Sequence, residues 1–583
     1  MAKGGREGGR GRRRARLRAS AVGRRGGAAG DRLTFDGRIR LLRVLFAVAF
    51  LLIGGKAIAL ASTQSNLATI ATEQQVRTVS LPAPRGSILD RDGRDLAVGQ
   101  ERRTIYATPY MLDDPEGAAT QIADVLKLKK REQRALAQAL ADEHSGFAYV
   151  ARQVDVASAD AVLALGLPGV GAYVEEKRVY PMKTVAAQVV GYAGIDNRGL
   201  AGLEQQYDAE LAGRAGSQTV VQDPAGRCLK TIAATQPAPG ADLRLTIDQG
   251  IQFMAERVLA DTVRKYAAKG GTAIVMDPKT GEVLAMANAP LVDANEFGGS
   301  PKLQRNRAVT DVYEPGSTFK VITVGGALAE GLVTPKTSFV LPGQLLVGDR
   351  VIHESHPRGT ERFTVRRILA ESSNIGAVTL GWKVLGQTRM MKWIGRFGFG
   401  HPSGLDYPGE VAGLVLPLDQ WSASTIGNVP MGQGIAVTPM QMTCAYAAVA
   451  NDGVMVTPHL VAQVGTKTFG AGASRRIVSP KVAQQLRSML SDVVSDGTGE
   501  EAQIPGYLVA GKTGTAQKSL PNGGGYSHYA YVASFVGMVP ANDPQLVVLV
   551  MVDEPHPIWG GVVAAPAFRQ IAAFALQRLE IAP

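Results

Sequence analysis

Residues 44–61 form an eighteen-residue run that is apolar except for Lys56. As a helix rising about 1.5 Å per residue it reaches about 27 Å, close to the roughly 30 Å hydrocarbon core of a bilayer. Such a run constrains the chain before any fold is considered, because it divides the sequence into two sides of a membrane. The 43 residues before it hold fourteen Lys and Arg against three acidic residues, and positive flanking charge stays cytoplasmic. The reading is therefore a single pass through the plasma (inner) membrane, with a cytoplasmic N-terminus and everything beyond residue 62 extracytoplasmic, that is, periplasmic. The tail itself, with Arg12-Arg13-Arg14, Arg16, Arg18 and Arg24-Arg25 among glycines and alanines, lacks large apolar residues and reads as disordered. A cleaved signal peptide is the competing reading, since Ala59-Leu60-Ala61 precedes Ser62. The long basic stretch in front and Lys56 beside that point argue for a retained anchor. Lys56 reads as snorkelling to the outer interface, with a polar group on a neighbouring membrane helix as the alternative.

Tail and Lys56 together account for the whole net charge of +12, so the body of the chain is formally neutral and charge gives no reason to expect nucleic acid as a partner. Two cysteines, Cys228 and Cys444, without a C-x-x-C, fit a secreted domain whose core is large enough to dispense with disulfides. The seven histidines form no H-E-x-x-H spacing; His353 and His356, three apart, read as surface or satisfied core residues. Neither a metal nor a cofactor is expected.

Beyond the anchor (44–62) the chain reads as two parts. Residues 63–240 mix short strand-like runs with one helical stretch, 117–141, and carry no visible chemistry. Arg85-Gly86-Ser87-Ile88-Leu89-Asp90-Arg91-Asp92-Gly93 reads as a hairpin held by ion pairs, and Arg178-Val179-Tyr180-Pro181 and Gly202-Leu203-Glu204 read as structural too. Thr235 to Gly240, with Pro237 and Pro239, reads as a linker. From 241 the pattern changes: a strand over 243–248 leads to a helix cap, a helix follows over 249–267, and strands at 271–278 and 282–287 meet at Lys279-Thr280-Gly281. Strands at 531–539 and 545–552 and a helix at 565–579 close the chain. Residues 241–583 thus read as one α+β domain, an antiparallel sheet sandwiched by helices.

Within that domain stand Ser317-Thr318-Phe319-Lys320, Ser372-Ser373-Asn374 and Lys512-Thr513-Gly514-Thr515. Each alone is weak: the first fits an exposed helix face, the second a helix cap. The third lies inside a literal G-x-x-x-x-G-K-T phosphate-loop string from Gly506. Against a phosphate loop, the location is outside the cell and Tyr507-Leu508-Val509-Ala510 reads as strand running into the motif. In this order the three strings converge on one acyl-transfer site, as in penicillin-binding proteins and class A β-lactamases.

With Tyr313-Glu314-Pro315-Gly316 before Ser317, the RGSILDRDG segment, Gly432-Gln433-Gly434, Val437-Thr438-Pro439-Met440-Gln441 and the Ala510-Gly511 lead-in, the chain resembles a class B penicillin-binding protein from anchor to C-terminus. The resemblance implies a pedestal over 63–240 and a penicillin-recognising serine transpeptidase fold over 241–583. It implies peptidoglycan stem peptides as substrate, acylation by β-lactams, and a SEDS-type septal glycosyltransferase and other division proteins as partners. Compact length and the Ser-Ser-Asn form are more similar to the division-specific type at the septum than to the elongation type. A D,D-carboxypeptidase, a serine β-lactamase, a β-lactam sensor and a catalytically silent scaffold are the alternatives.

The residues make chemical sense by themselves. Ser317 needs a base within hydrogen-bond reach, and Lys320, on the next helical turn, serves only if neutral; burial and the charge of Lys512 both favour that. The amides of Ser317 and Thr515 would form an oxyanion hole. Ser372 would relay a proton to the leaving amine, and Asn374 would hold the substrate amide and Lys320. Lys512, Thr513 and Thr515 suit a terminal carboxylate, and Gly514 leaves room for a peptide along the strand.

Overall fold

The computed structural model describes residues 35–142, 144–222, 228–296, 301–520 and 525–583. Most of the basic tail, expected to be disordered, lies outside the described residues. The chain divides into two units, Met1–Arg77 with Val220–Lys230, and Thr78–Thr219 with Thr231–Pro583.

In the first unit one helix runs over Phe35–Gln75. Its stretch Asp36–Ala61 is long and apolar enough to cross a membrane. Leu51 and Ile58 are 75% and 73% exposed, which suits lipid rather than water. The helix continues past the expected end at residue 62 because no Gly or Pro occurs over 62–75 to stop it.

The second unit begins with the pedestal. Its long strand, Asp95–Ala107, pairs antiparallel with Val170–Val179 and with Ala148–Val154. Helices Pro115–Leu126, Lys130–Leu140 and Val156–Leu163 contribute Ile122, Leu136, Leu140 and Val162 to the core beneath it. The single helix expected over 117–141 is thus two. Lys127 takes a left-handed conformation (φ 53°), and Glu132 restarts the helix by accepting from the Lys129 N–H at 2.8 Å. Tertiary packing overrides propensity here, since nothing in the local sequence forces a break.

The hairpin expected in RGSILDRDG is present. Asp90 Oδ1 accepts from the N–H groups of Asp92 and Arg94, both at 2.8 Å, and Gly93 supplies the positive φ of 85°. Arg85 pairs outside its own segment: Nε donates to Glu204 at 2.7 Å and Nη1 to Asp208 at 2.7 Å. Glu204 also accepts from Arg178 Nε at 2.6 Å and from the Tyr180 hydroxyl at 3.3 Å. The three segments read as structural therefore meet at one buried carboxylate.

Past the 235–240 linker, Leu243–Leu245 runs parallel to Ile88–Leu89 of the pedestal and antiparallel to Val461–Val464. Helix α1, Gln249–Lys265, follows, capped by Asp248, which accepts from the N–H groups of Gly250 at 2.9 Å and Ile251 at 3.1 Å. Five antiparallel strands make the main sheet: β1 (Gly270–Met276), β2 (Val283–Ala289), β3 (Ala510–Ser519), β4 (Tyr526–Val539) and β5 (Leu546–Asp553), in the order β2-β1-β5-β4-β3. The expected turn at 279–281 joins β1 to β2, with Gly281 at φ 83°. Both faces of the sheet are covered, so β5 reads as a continuous apolar run. Val548, Val550 and Val552 pack on the side of α1 and the C-terminal helix α5 (Gly560–Arg578). Val547, Leu549 and Met551 pack on the side of α2 (Lys320–Ala329), α3 (Pro439–Ala450) and α4 (Pro480–Ser495). Helix α5 starts five residues before the expected 565 even though Pro566 lies inside it. The carbonyl of Val562 that Pro566 cannot reach accepts from the Tyr266 hydroxyl at 3.1 Å instead.

Candidate active site

Ser317 sits in a single 3₁₀ turn, Gly316–Phe319, which continues as α2 from Lys320. The turn is fixed from several sides. Thr318 Oγ1 donates to the Pro315 carbonyl at 2.8 Å, the Tyr446 hydroxyl to the Thr318 carbonyl at 2.9 Å, and the Gly316 N–H to the Gly432 carbonyl at 3.0 Å. Gly432 has φ 85°, and a Cβ there would lie 2.1 Å from the Gly316 oxygen. The Gly434 N–H donates to Glu314 Oε1 at 3.1 Å. Gly432-Gln433-Gly434 is thus the backbone cradle of the serine turn. Val437 to Gln441 is structural: Thr438 and Gln441 form a capping box at the start of α3.

Lys320 is fully buried and lies among the residues of the second string. Its Nζ donates to the Ser372 carbonyl at 2.6 Å and Asn374 Oδ1 at 2.7 Å, and lies 3.3 Å from Ser372 Oγ. Ser372 reaches that position in a left-handed conformation (φ 57°), which costs a β-carbon-bearing residue about 1 kcal/mol or more and turns its carbonyl towards the amine. Burial lowers the Lys320 ammonium to about 7; Glu354 opposes that shift and Arg358 adds to it. The lysine–lysine repulsion expected from the sequence falls on the partner. Lys512 is held well below its ordinary value by burial and then by Lys320.

Lys512, Thr513, Gly514 and Thr515 lie on the edge strand β3, in register with Val536, Phe535, Ser534 and Ala533 of β4. Lys512 Nζ reaches the carbonyl and hydroxyl of Thr513, each at 3.3 Å. Thr513 Oγ1 shares a 2.7 Å hydrogen bond with Thr498, and Thr515 Oγ1 accepts from the Gly560 N–H at 3.1 Å. Gly514 also has a reason to be glycine that the sequence did not show: a Cβ there would stand 2.4 Å from Ser534 Oγ and 3.0 Å from the Pro315 carbonyl, so the residue makes room for the serine turn. The lead-in to β3 also differs: residues 504–507 form a turn with Gly506 at φ 84°, and the strand begins at Ala510. Pro505-Gly506 ends any earlier strand. A lysine on a paired strand is not a phosphate-loop lysine, which needs a loop opening into a helix.

Ser317, Asn374 and Thr515 open on one cavity of about 230 Å³, with Gly316, Arg350, His353, Met431, Gln433 and Gln517 among its other walls. Among the described residues no acidic side chain lines it, which suits an anionic substrate. A larger cavity of about 380 Å³, bounded by Phe397, Met455 and Arg475, lies elsewhere and touches none of the three strings.

Sequence reasoning missed the groups that hold the second string. Glu354 accepts the Ser373 hydroxyl on Oε1 and the Asn374 N–H, at 2.7 Å, on Oε2. Arg350 and Thr498 were missed as well, and His353, read as a surface or satisfied core residue, is exposed on the wall of the cavity. They stand on hairpin and loop segments without a motif, and only the three-dimensional approach of those loops gives them a place. Among the described residues no group of three or more His, Cys, Asp or Glu is arranged to hold a metal ion. Cys444 is a buried free thiol in α3.

The sequence matches the penicillin-binding protein transpeptidase domain over residues 271–573 and the penicillin-binding protein dimerisation domain over 80–245. It is 35% identical to the probable peptidoglycan D,D-transpeptidase PbpC of Pseudomonas aeruginosa, over 94% of this chain and 96% of that one. It is 32% identical to the peptidoglycan D,D-transpeptidase FtsI of Escherichia coli, over 93% and 91%. The crystal structure of penicillin-binding protein 3 of Mycobacterium tuberculosis in complex with aztreonam superposes with a TM-score of 0.69 at 31% identity, covering 86% of this chain and 98% of that one.

Proposed function

The chain belongs to the class B penicillin-binding proteins, and from that membership we propose that it is a peptidoglycan D,D-transpeptidase working through an acyl-enzyme on Ser317. Neutral Lys320 takes the Ser317 hydroxyl proton as Oγ attacks the carbonyl carbon of the penultimate D-alanine of a stem peptide. Ser317 and Thr515 line the same cavity, and their N–H groups stabilise the oxyanion. The C–N bond then breaks, and the proton passes by way of Ser372 Oγ to the departing D-alanine. An amine of a neighbouring stem attacks the ester, gives up its proton along the same path and regenerates Ser317. Lys512, Thr513 and Thr515 hold the terminal carboxylate, and Asn374 holds the substrate amide and Lys320.

The observation that carries this reading is the Lys320 amine, buried, lowered to about 7 and bonded to both Ser372 and Asn374. A base poised near neutrality is what a serine nucleophile requires. β-Lactams acylate the same serine. A role at the division septum, with the catalytic domain periplasmic and a SEDS-type glycosyltransferase as partner, is the finer reading supported by the sequence resemblance.

The test is labelling of membranes by a fluorescent penicillin. Wild type should carry the label on the peptide containing Ser317, and Ser317→Ala should carry none while keeping the wild-type circular-dichroism spectrum. Label on another serine in the variant would overturn the assignment, and a fluorescent fusion spread evenly along the cell wall would overturn the septal role.

A further inference from the structure

Glu354 is the one carboxylate bonded directly to the second string among the described residues, and the mechanism above gives it no part. Its side chain is 2% exposed, and each oxygen has its own partner. Oε1 takes the hydroxyl of Ser373, whose oxygen in turn accepts the Gly376 N–H at 2.9 Å and so caps the short helix Asn374–Val378. Oε2 takes the Asn374 N–H at 2.7 Å and lies 3.7 Å from Arg358. Asn374 is further held through Nδ2, which donates to the His353 carbonyl at 3.0 Å. The residue that touches the Lys320 amine is thus fixed at its backbone by Glu354 and at its side chain by the residue preceding Glu354.

We propose that Glu354 is a positioning residue of the acylation site: its buried carboxylate clamps Ser373 and Asn374 from behind and, balanced against Arg358, sets the field in which Lys320 handles the serine proton. This rests on the reading of Ser317 as the acylated residue and Lys320 as its base. The charged groups acting on Lys320, Glu354 and Arg358, both stand on the loop after the Gln344–Val347/Arg350–His353 hairpin, whereas Lys512 on β3 is itself held down by Lys320. Arg358 is itself shared with Glu371 at 3.0 Å. Glu354 favours the charged amine and Arg358 disfavours it, so removing either one alone moves the balance in opposite directions.

The experiment follows the second-order rate of acylation by benzylpenicillin from pH 5 to 9 in the full-length protein and three variants. Glu354→Gln keeps the shape and removes the charge, so the rate midpoint should move to lower pH. One of its two anionic acceptors becomes an amide N–H₂, so the plateau should also fall about tenfold or more. Glu354→Asp keeps the charge one methylene short: the plateau should fall with the midpoint held. Arg358→Gln, at a partly exposed side chain, should move the midpoint to higher pH with a modest change in plateau. A merely structural clamp would lower rates without moving midpoints in opposite directions. Wild-type midpoints and plateaus in folded Glu354→Gln and Arg358→Gln would overturn the proposal. If Glu354→Gln fails to fold, an unmoved midpoint in Arg358→Gln together with a wild-type plateau in Glu354→Asp would overturn it equally. Loss of Ser317 labelling in the wild type would instead sink the underlying function, so the two failures are distinguishable.

Discussion

The two lysines of the site carry the same charge on paper and face different tasks. Lys320 is lowered to about 7 and in the proposed mechanism cycles between amine and ammonium, whereas Lys512 Nζ donates to the Thr513 carbonyl and hydroxyl. An arginine at 320 cannot release its proton, so Lys320→Arg should reduce acylation by penicillin by about 10³-fold or more. Lys512→Arg preserves a charge-assisted contact to a carboxylate and should cost about 10- to 100-fold, with Lys512→Ala losing more. Equal rates in the two arginine variants would show that Lys320 is not the base. The same shift has a sign for the pH profile. Below about pH 7 Lys320 is protonated and unreactive, so the wild-type rate should rise through that point and level off above it. It has a sign for stability too. Between about pH 7 and the ordinary lysine range the unfolded chain holds the extra proton, so this group makes the fold more stable as pH rises across that window.

At the scale of elements, the site is the meeting of a serine turn, a strand edge and a loop, and glycines set how closely they approach. Gly432→Ala places a Cβ 2.1 Å from the Gly316 carbonyl and asks alanine to adopt φ 85°, so the serine turn must shift. Misplacement of a nucleophile by about 1 Å costs on the order of 10²-fold, so acylation should fall by about that factor while the far-ultraviolet spectrum stays native. A wild-type rate would mean the loop does not position the turn. The sequence announced these elements unevenly. β1, β2, β4, β5 and α1 were legible because apolar runs end at strong signals, the Lys279-Thr280-Gly281 turn and the Asp248 cap. The three strings were legible because S-x-x-K, S-S-N and K-T-G-T are unusual in that order. Hidden from the sequence were Glu354, whose role depends on a loop folding behind Ser373, and the left-handed Ser372, which no local pattern demands. The break at Lys127 and the packing of Gly514 against the serine turn were hidden for the same cause: tertiary neighbours supply what the local residues do not specify.

For the whole molecule, the anchor and the chemistry occupy different units, and every group of the three strings lies in Thr231–Pro583. Removing residues 1–62 should therefore give a protein that stays in solution after membrane removal and reacts with penicillin at a rate within about twofold of the full-length chain. A folded, soluble but unreactive product would show that the membrane segment contributes to the site.

One strand constrains where two related chains of this kind could be joined. Leu243–Leu245 falls within the stretch matched to the dimerisation domain, yet it is hydrogen-bonded on one side to Ile88–Leu89 and on the other to Val461–Val464, deep in the catalytic half. Glu256 of α1 adds a second tie by accepting the Ala186 N–H of the pedestal at 2.7 Å. A crossover at 235–240 would therefore set Ile88–Leu89 of one parent against Leu243–Leu245 and Val461–Val464 of the other, and the junction would be judged by sheet register rather than by linker length. Viable chimaeras should carry 80–100, 243–256 and 461–464 from one parent, with any breakpoint falling after 464, so that inheritance treats pedestal and sheet as a single block.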